Sequence, residues 1–397
     1  MPWKETCPVD QRLKFIEDWK RREVPIVRLC EAYGISRKAA YKWIDRYELE
    51  GIGGLADRSR APEHSPQAIC EDVADFVLNL RRKHPFWGPR KLLAWMQKRR
   101  PSMERPAAST IGDLLKRNGL VREHRKRVRV PQQTAPFAAI KAPNDTWCTD
   151  FKGEFRVGDA GYCYPLTLSD ACSRFLLRCT GLHSTSTEGA MRVFEGAFEE
   201  FGLPWVMRSD NGIPFSMPPA GPSSLSRLSV WFIKLDIRPE WIDPGSPEQN
   251  GRHERMHWTL KQETALPPRS SFGAQQAAFD RFRHEYNFER PHEALGQETP
   301  GSVYRPSCRK MPREVPDLAY PTSFATRHVR PNGEISWAGT RVFLGEVLGA
   351  ENVGLDEQDD GTWDVYVGRL NFGIMSAQGR FTRRARPIWT DAAEERS

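Results

Sequence analysis

The sequence predicts a multidomain protein: an all-α helix-turn-helix N-terminal region, an α/β core and a small all-β C-terminal barrel. Three observations predict it. Residues 8 to 118 carry apolar side chains at helical spacing. From Asn144 the texture changes to short β-rich runs followed by longer amphipathic stretches, which suits a mixed sheet with helices packed on it. From about Ala325 it turns to strands again, with Asn332-Gly333 and Asp360-Gly361 as turn signals. A chain of 397 residues exceeds one typical domain, as this division requires.

The first domain is expected over residues 8–60. Leu13, Ile16 and Trp19 mark one helix, and Ile26–Tyr33 marks a second that Gly34 ends by taking a left-handed conformation. Ser36 is the N-cap of a third, from Arg37 to Glu48. Its apolar face is Ala40, Trp43, Ile44 and Tyr47, which leaves Arg37, Lys38, Tyr41 and Lys42 outward as candidate DNA contacts. A second helical module is expected over 66–130, with Ile69, Val73, Phe76, Val77 and Leu80 on one stripe. Helices from Arg90 to Lys98 and from Ser109 to Asn118 follow. The run Arg122–Arg129 holds five Lys/Arg in eight residues, among them Arg125 and Arg127, and such a run can track phosphates. Residues 131–143, rich in Ala and Pro, read as a linker.

The core is expected over 144–306. Strands are predicted at Thr146–Phe155, Tyr162–Ser169, Arg174–Leu182 and Trp205–Arg208. Helices are predicted at Thr185–Phe201, Leu225–Leu235, Pro247–Thr264 and Ala274–Tyr286. A Pro/Gly/Ser-rich loop, Pro218–Ser224, interrupts them. The barrel is expected over 325–390, with strands around Val342-Phe-Leu344 and Trp363–Val367.

Composition narrows the function classes. At 39% hydrophobic and 28% charged residues, with no apolar run long enough to span a bilayer, a soluble protein is expected. The opening Met1-Pro-Trp-Lys-Glu-Thr6 is not a signal peptide, so a cytoplasmic, nucleoid-associated protein is expected. Eight cysteines without a C-x-x-C pair argue for reduced thiols and against a zinc ribbon. The net charge of +8 is unevenly spread. Residues 1–143 hold 30 Lys/Arg against 17 Asp/Glu, and the remainder holds 29 against 34. The positive charge belongs to the N-terminal third, where a polyanion would bind.

Three acids carry the candidate chemistry. Asp150 lies in a strand, on the face opposite Trp147, Thr149 and Phe151. Asp210 ends another strand before the turn Asn211-Gly212. Glu254 lies in a helix opened by Ser246-Pro247-Glu-Gln249, and Asn250, Glu254, His257 and Lys261 recur on one side of it. Carboxylates brought to one site suit Mg²⁺ or Mn²⁺, and two such ions serve in-line displacement at phosphorus.

Thr146-Trp-Cys-Thr-Asp150-Phe151, Arg208-Ser-Asp210-Asn-Gly-Ile-Pro-Phe215 and Ser246-Pro-Glu-Gln-Asn-Gly-Arg-His-Glu254-Arg-Met-His-Trp-Thr-Leu-Lys261 resemble the three catalytic motifs of the retroviral-integrase-like (DDE) superfamily. The match is closest to bacterial insertion-sequence transposases, and Tyr286-Asn-Phe-Glu-Arg-Pro-His292 resembles the segment that closes that family's catalytic domain. The resemblance implies a ribonuclease H-like fold in which Asp150, Asp210 and Glu254 are both the catalytic and the metal-binding residues, with two ions. It implies that Lys261 approaches DNA, and Asn250 on the same helix side is a further candidate contact. It also implies cleavage at transposon ends, transfer of the 3′-hydroxyls into target DNA, and a homo-oligomer. Two departures stand out. There are 43 residues between Asp210 and Glu254 where retroviral-type enzymes commonly have 35, and helix-turn-helix modules replace their N-terminal His/Cys zinc module.

Competing expectations are of other classes. A domesticated DNA-binding protein would keep this body without activity. His253-Glu254-Arg-Met-His257 matches H-E-x-x-H, the zinc-protease signature, but that reading leaves Asp150, Asp210 and the basic N-terminal third without a role. Asp170 is expected to be a turn residue paired with Arg174, Glu248 and Glu263 to be solvated, and Trp205 and Trp241 to be core.

Overall fold

The computed structural model describes residues 7–58, 69–121, 140–158, 161–216, 225–243 and 251–390, without the side chains of 251 and 252. Arg125, Arg127, Glu248 and Asn250, the 218–224 loop and the Ser246-Pro247 helix start lie outside the described residues. Among the described residues no helix is long and apolar enough to cross a membrane. The chain divides into two compact units, residues 1–68 and 69–397.

The first unit is three helices, α1 (Pro8–Arg21), α2 (Ile26–Tyr33) and α3 (Arg37–Glu50). Asp10 and Cys7 cap the start of α1 reciprocally, and Pro8 sits where its missing N–H costs nothing. Gly34, at φ +62°, ends α2, and the Ser36 hydroxyl accepts from the Ala39 amide to open α3. Phe15, Ile16, Leu29, Ala40, Ile44 and Leu55 form the core. Arg37, Lys38, Tyr41 and Lys42 are exposed on α3, as the helical period requires. Trp43 is half-buried rather than core, because the Arg12 guanidinium lies 3.9 Å from its ring centroid and Lys42 and Arg46 also flank it.

The second unit begins with α4 (Glu71–Lys83), α5 (Pro89–Arg99) and α6 (Ala108–Arg117). Their stripes close over Val77, Trp87, Leu92, Met96, Ile111 and Leu115. Part of this module's basic charge faces protein. The His84 Nδ1 lies 2.8 Å from Glu285 Oε1, and Arg90 and Lys98 pair with Glu293 and Glu298.

Next comes the layered core: β1 (Thr146–Phe151), β2 (Phe155–Arg156), β3 (Tyr162–Asp170), β4 (Leu176–Leu182), α7 (Thr187–Phe201), β5 (Val206–Ser209), α8 (Arg227–Lys234), β6 (Arg238–Trp241), α9 (Gly251–Leu260) and α10 (Phe272–Phe288). β3 lies antiparallel between β4 and β1, and β1, β5 and β6 run parallel. Trp147, Leu166, Leu168 and Leu177 meet α7 and α8 through Phe194, Phe198 and Phe232. On the other side Cys163, Leu176 and Cys179 meet Met256 and Leu260 of α9 and Phe279 and Phe282 of α10. The sequence reading missed β6. Pro239 interrupts its pattern, yet β6 is an edge strand, where proline's missing donor leaves no ladder bond unmade. Asp170 is fully buried at the end of β3, and its carboxylate accepts from the amides of Asn144 and Ser173 and from the Ser173 hydroxyl. It holds a turn together, through two backbone amides and the Ser173 hydroxyl.

Two expectations need correction. Trp205 is 53% exposed, with Arg309 stacked 4.1 Å from its ring centroid, because it precedes β5 at the surface. Glu263 is largely buried and paired at 2.9 Å with Arg290, since α9 continues through a π-helical turn, Lys261–Ala265, that carries it inward.

The C-terminal strands are β7 (Ala325–His328), β8 (Glu334–Trp337), β9 (Thr340–Phe343), β10 (Asn352–Glu357), β11 (Trp363–Val367), β12 (Leu370–Met375) and β13 (Phe381–Trp389). They form an antiparallel sheet in the order β13-β12-β11-β10-β7, with the β8–β9 hairpin over the same core. Gly333 and Gly361 sit at positive φ in the expected turns. This core is not private to the β domain. Leu225, Val230 and Ile233, from and beside α8, enter it, and Lys234 and Asp236 pair with Glu351 and Arg369.

Candidate active site

Strand register brings two of the three acids together. β1 and β5 pair in parallel with Thr146 beside Val206 and Cys148 beside Arg208, and the same offset carried two residues on sets Asp150 beside Asp210. Both lie toward the C-terminal ends of their strands, in the middle of the sheet. The turn after β5 is built for close approach. Gly212 donates its amide to Asp210 Oδ1 at 3.1 Å, and a Cβ at Gly212 would stand 3.1 Å from Oδ2. The Asn211 amide donates to the Ile242 carbonyl and ties this turn to the end of β6.

Burial and like charge shape the electrostatics. Asp150 is pushed up to about 7, first by burial, then by the Asp210 carboxylate, with Glu254 adding to the effect. Burial also raises Asp210. Glu254 is exposed in the first turn of α9 and contributes to the field at Asp150. Among the described residues no three His, Cys, Asp or Glu side chains close around a single point. The arrangement is therefore a pair of neighbouring carboxylates, with the charge of Glu254 acting on Asp150.

His253 and His257 flank Glu254 but turn inward, 2% and 5% exposed. Burial lowers both, so the imidazoles are neutral. Their Nε2 atoms both end on the Thr167 hydroxyl, at 2.7 Å each. The H-E-x-x-H spacing thus serves contacts to the sheet here.

Lys261 is exposed at the start of the π turn. With Lys152 it lines a cavity of ≈ 160 Å³ floored by Phe155, Pro165, Leu260 and Phe279. Lys152 was missed by the sequence reading, although its charge partly offsets the upward push on Asp150. Alternation along β1 would have found it, since it lies two residues beyond Asp150.

Comparison with known proteins agrees with this fold. The integrase core domain family matches residues 140–247 and, in a second form, 235–300. A helix-turn-helix domain family matches residues 11–63 and a homeodomain-like domain family matches 39–115. The chain is 24% identical over 275 residues to the insertion element IS407 uncharacterized 31.7 kDa protein of Burkholderia multivorans, covering 69% of this chain and 88% of the relative. It is 28% identical over 123 residues to the Gag-Pol polyprotein of feline leukemia virus, covering 31% of this chain and 7% of the polyprotein. Among solved structures it is similar to the HTLV-2 integrase catalytic core domain in complex with magnesium, at TM-score 0.32 and 13% identity, over 41% of this chain and 98% of that one. It is also similar to a chain of the simian T-cell lymphotropic virus intasome in complex with PP2A regulatory subunit B56 gamma, at TM-score 0.36 and 14% identity, over 80% of this chain and 100% of that one. In chain order, helix-turn-helix domain matches precede the integrase core match, which falls on the mixed sheet and its packed helices. The integrase core and helix-turn-helix matches, with the insertion-element relative, support a bacterial insertion-sequence transposase of the integrase-like superfamily.

Proposed function

We infer that the protein cuts DNA at the ends of a mobile element and joins the resulting 3′-hydroxyls to target DNA. One observation carries this reading: Asp150 and Asp210 stand side by side where two parallel strands end, with Glu254 adding to the field at Asp150. Such oxygen donors, with both aspartates raised by burial and Asp150 further by its acidic neighbours, suit hard divalent cations. Mg²⁺ or Mn²⁺ would be held between Asp150 and Asp210, with a second ion between Asp150 and Glu254. When bound, two such ions polarise the phosphate and lower the cost of forming and releasing oxyanions.

The chain's own part is positioning. The β1–β5 register fixes the two aspartates, and α9 brings Glu254 to them. Lys152 and Lys261 would hold phosphates beside the acids. Cleavage adds a water hydroxyl to phosphorus and releases the 3′-oxygen with a proton; in joining, the 3′-hydroxyl oxygen bonds to a target phosphorus, gives up its proton, and displaces the target strand's own 3′-oxygen, which leaves protonated. Neither step needs a covalent link to protein. Pairing two element ends calls for more than one copy of the chain.

The full-length protein with duplex DNA carrying the ends of its own element tests this reading. Mg²⁺- or Mn²⁺-dependent release of 3′-hydroxyl ends and their joining to a second duplex is the expected result. Specific binding without either product, at any metal concentration, would mark a DNA-binding protein that has no such activity.

Recognition is proposed to lie on α3, through Arg37, Lys38, Tyr41 and Lys42 in the major groove. Replacing Arg37 and Lys42 by alanine together is expected to weaken DNA binding and to make the dependence of log K on log salt shallower by about 2. An unchanged slope would place the phosphate contacts elsewhere.

A further inference from the structure

The histidines flanking Glu254 are not explained by the carboxylates, and their surroundings give them a task. Across β1 and β3, Asp150 faces Thr167 and Cys148 faces Ser169. Alternation therefore puts Asp150, Thr167 and Ser169 on one face of the sheet. α9 covers that face, and its two histidines, one helical turn apart, descend onto it. Thr167 Oγ1 lies 2.7 Å from Nε2 of His253 and 2.7 Å from Nε2 of His257. Ser169 Oγ lies 3.0 Å from Nδ1 of His253. Nδ1 of His257 faces Oδ2 of Asp150 at 3.5 Å. The rings meet nearly edge-on, with centroids 4.5 Å apart.

Counting protons orders this chain. A neutral imidazole has one N–H and one acceptor nitrogen, and a hydroxyl has one proton. A carboxylate holding a metal only accepts, so the His257 proton belongs on Nδ1, facing Asp150. His257 Nε2 must then accept from the Thr167 hydroxyl. Thr167 in turn accepts the Nε2–H of His253, and His253 Nδ1 accepts from Ser169. The Thr167 hydroxyl also lies 3.1 Å from the Asp150 carbonyl oxygen, which is the longer and therefore weaker claim on its proton. The hydrogen bonds then run in one direction, from Ser169 to His257, and the His257 Nδ1–H faces Asp150 at 3.5 Å, an electrostatic contact longer than those bonds.

We propose that Ser169, His253, Thr167 and His257 form a directed hydrogen-bond latch that fixes α9 on the sheet and aims the Asp150 carboxylate. The histidines are positioning residues, and the role of Asp150 is the one inferred under Proposed function. Partners of this kind hold a ligand's free lone pairs toward a cation, and their loss typically costs about 10–100-fold in affinity for it. The latch also gives the i, i+4 histidine pair a reason to bracket Glu254. The pair sets the rotation of the helix, and rotation decides where the glutamate points.

The test uses the full-length protein in Mg²⁺ without DNA. With isotope-labelled histidine, two-bond nitrogen–proton couplings should show His257 protonated on Nδ1 and His253 on Nε2. The opposite tautomer at His257 would overturn the latch. A second arm compares His257→Asn, whose amide reaches where Nδ1 lies, with His257→Gln, whose amide reaches where Nε2 lies. When Mn²⁺ is titrated and read by thermal melting, His257→Gln should need about 10–100-fold more metal, with His257→Asn staying near wild type. Equal losses in both variants, or none in either, would overturn the proposal. Wild-type protein with this metal pattern but no cutting of DNA would sink the proposed activity and leave the latch standing. Protein that cuts DNA while His257→Gln matches wild type would sink the latch alone.

Discussion

Asp150→Asn is expected to lose strand cutting and joining by on the order of 10³-fold or more, and to melt at a higher temperature than wild type in metal-free buffer above pH 7. The first effect follows from the several kcal/mol of charge stabilisation that metal ions supply at phosphorus, at about 1.4 kcal/mol per decade of rate. The second follows from the buried carboxylate. Asp150 titrates near 3.8 when unfolded and is raised to about 7 in the folded chain, by burial and by Asp210. Between those values the folded state still holds a proton that the unfolded state has released. Stability therefore falls as pH rises through this window, and the loss is complete above the folded value. An asparagine carries no such cost, so the two melting curves should converge toward pH 4 and separate toward pH 8, as read by calorimetry over that range. Added Mg²⁺ should narrow the gap by stabilising wild type alone. A variant that cuts DNA as well as wild type does would remove Asp150 from the mechanism. Coincident metal-free melting at every pH would mean that its burial carries no strain.

The other large effect concerns stability one strand away. Arg208 and Glu240 are register partners on β5 and β6, with side chains 7% and 6% exposed and Nε 2.6 Å from Oε2. Arg208→Met leaves a carboxylate inside the protein without its guanidinium, and the expected cost is about 3–5 kcal/mol. Pairing it with Glu240→Leu removes both charges, and the double variant should regain most of that loss or exceed wild type. Chemical denaturation of the three variants measures this directly. A single variant within about 1 kcal/mol of wild type would show that Glu240 finds water or another partner. Because Arg208 lies two residues before Asp210, the same experiment separates folding from chemistry: the double variant should fold with its aspartates still adjacent.

Much of this molecule is legible in its amino-acid sequence, and the reasons are local. The end of α2 and the start of α3 follow from Gly34 and Ser36, whose conformations depend on near neighbours. The outward set on α3 follows from helical period. Asp150 and Asp210 were legible as strand-borne acids, but their adjacency was not, because it depends on which strands pair and in what register. Neighbour-dependent features escaped in the same way. β6 was hidden by Pro239, which is acceptable only because the strand lies at an edge. Trp205 was assigned to the core by residue type, whereas its place ahead of β5 leaves it under Arg309 at the surface. Glu263 was expected in solvent, and in the structure it lies in the π turn after Leu260 and pairs with Arg290. The histidine pair matched a zinc-site pattern because period alone reports that two side chains share a helix face, and does not report what that face meets.

The way α8 is shared bears on how such chains can be recombined. Leu225, Val230 and Ile233 belong by sequence to the α/β core and by packing to the β domain. Gly368, at φ +54°, brings its loop so close that a Cβ there would stand 2.8 Å from Ile233. A crossover between two relatives placed in the extended stretch before Ala325 therefore joins a helix to a sheet that did not evolve against it. Inheritance of the β domain is in this sense linked to inheritance of α8. Hybrids that keep the two together are the ones expected to keep a complete interior.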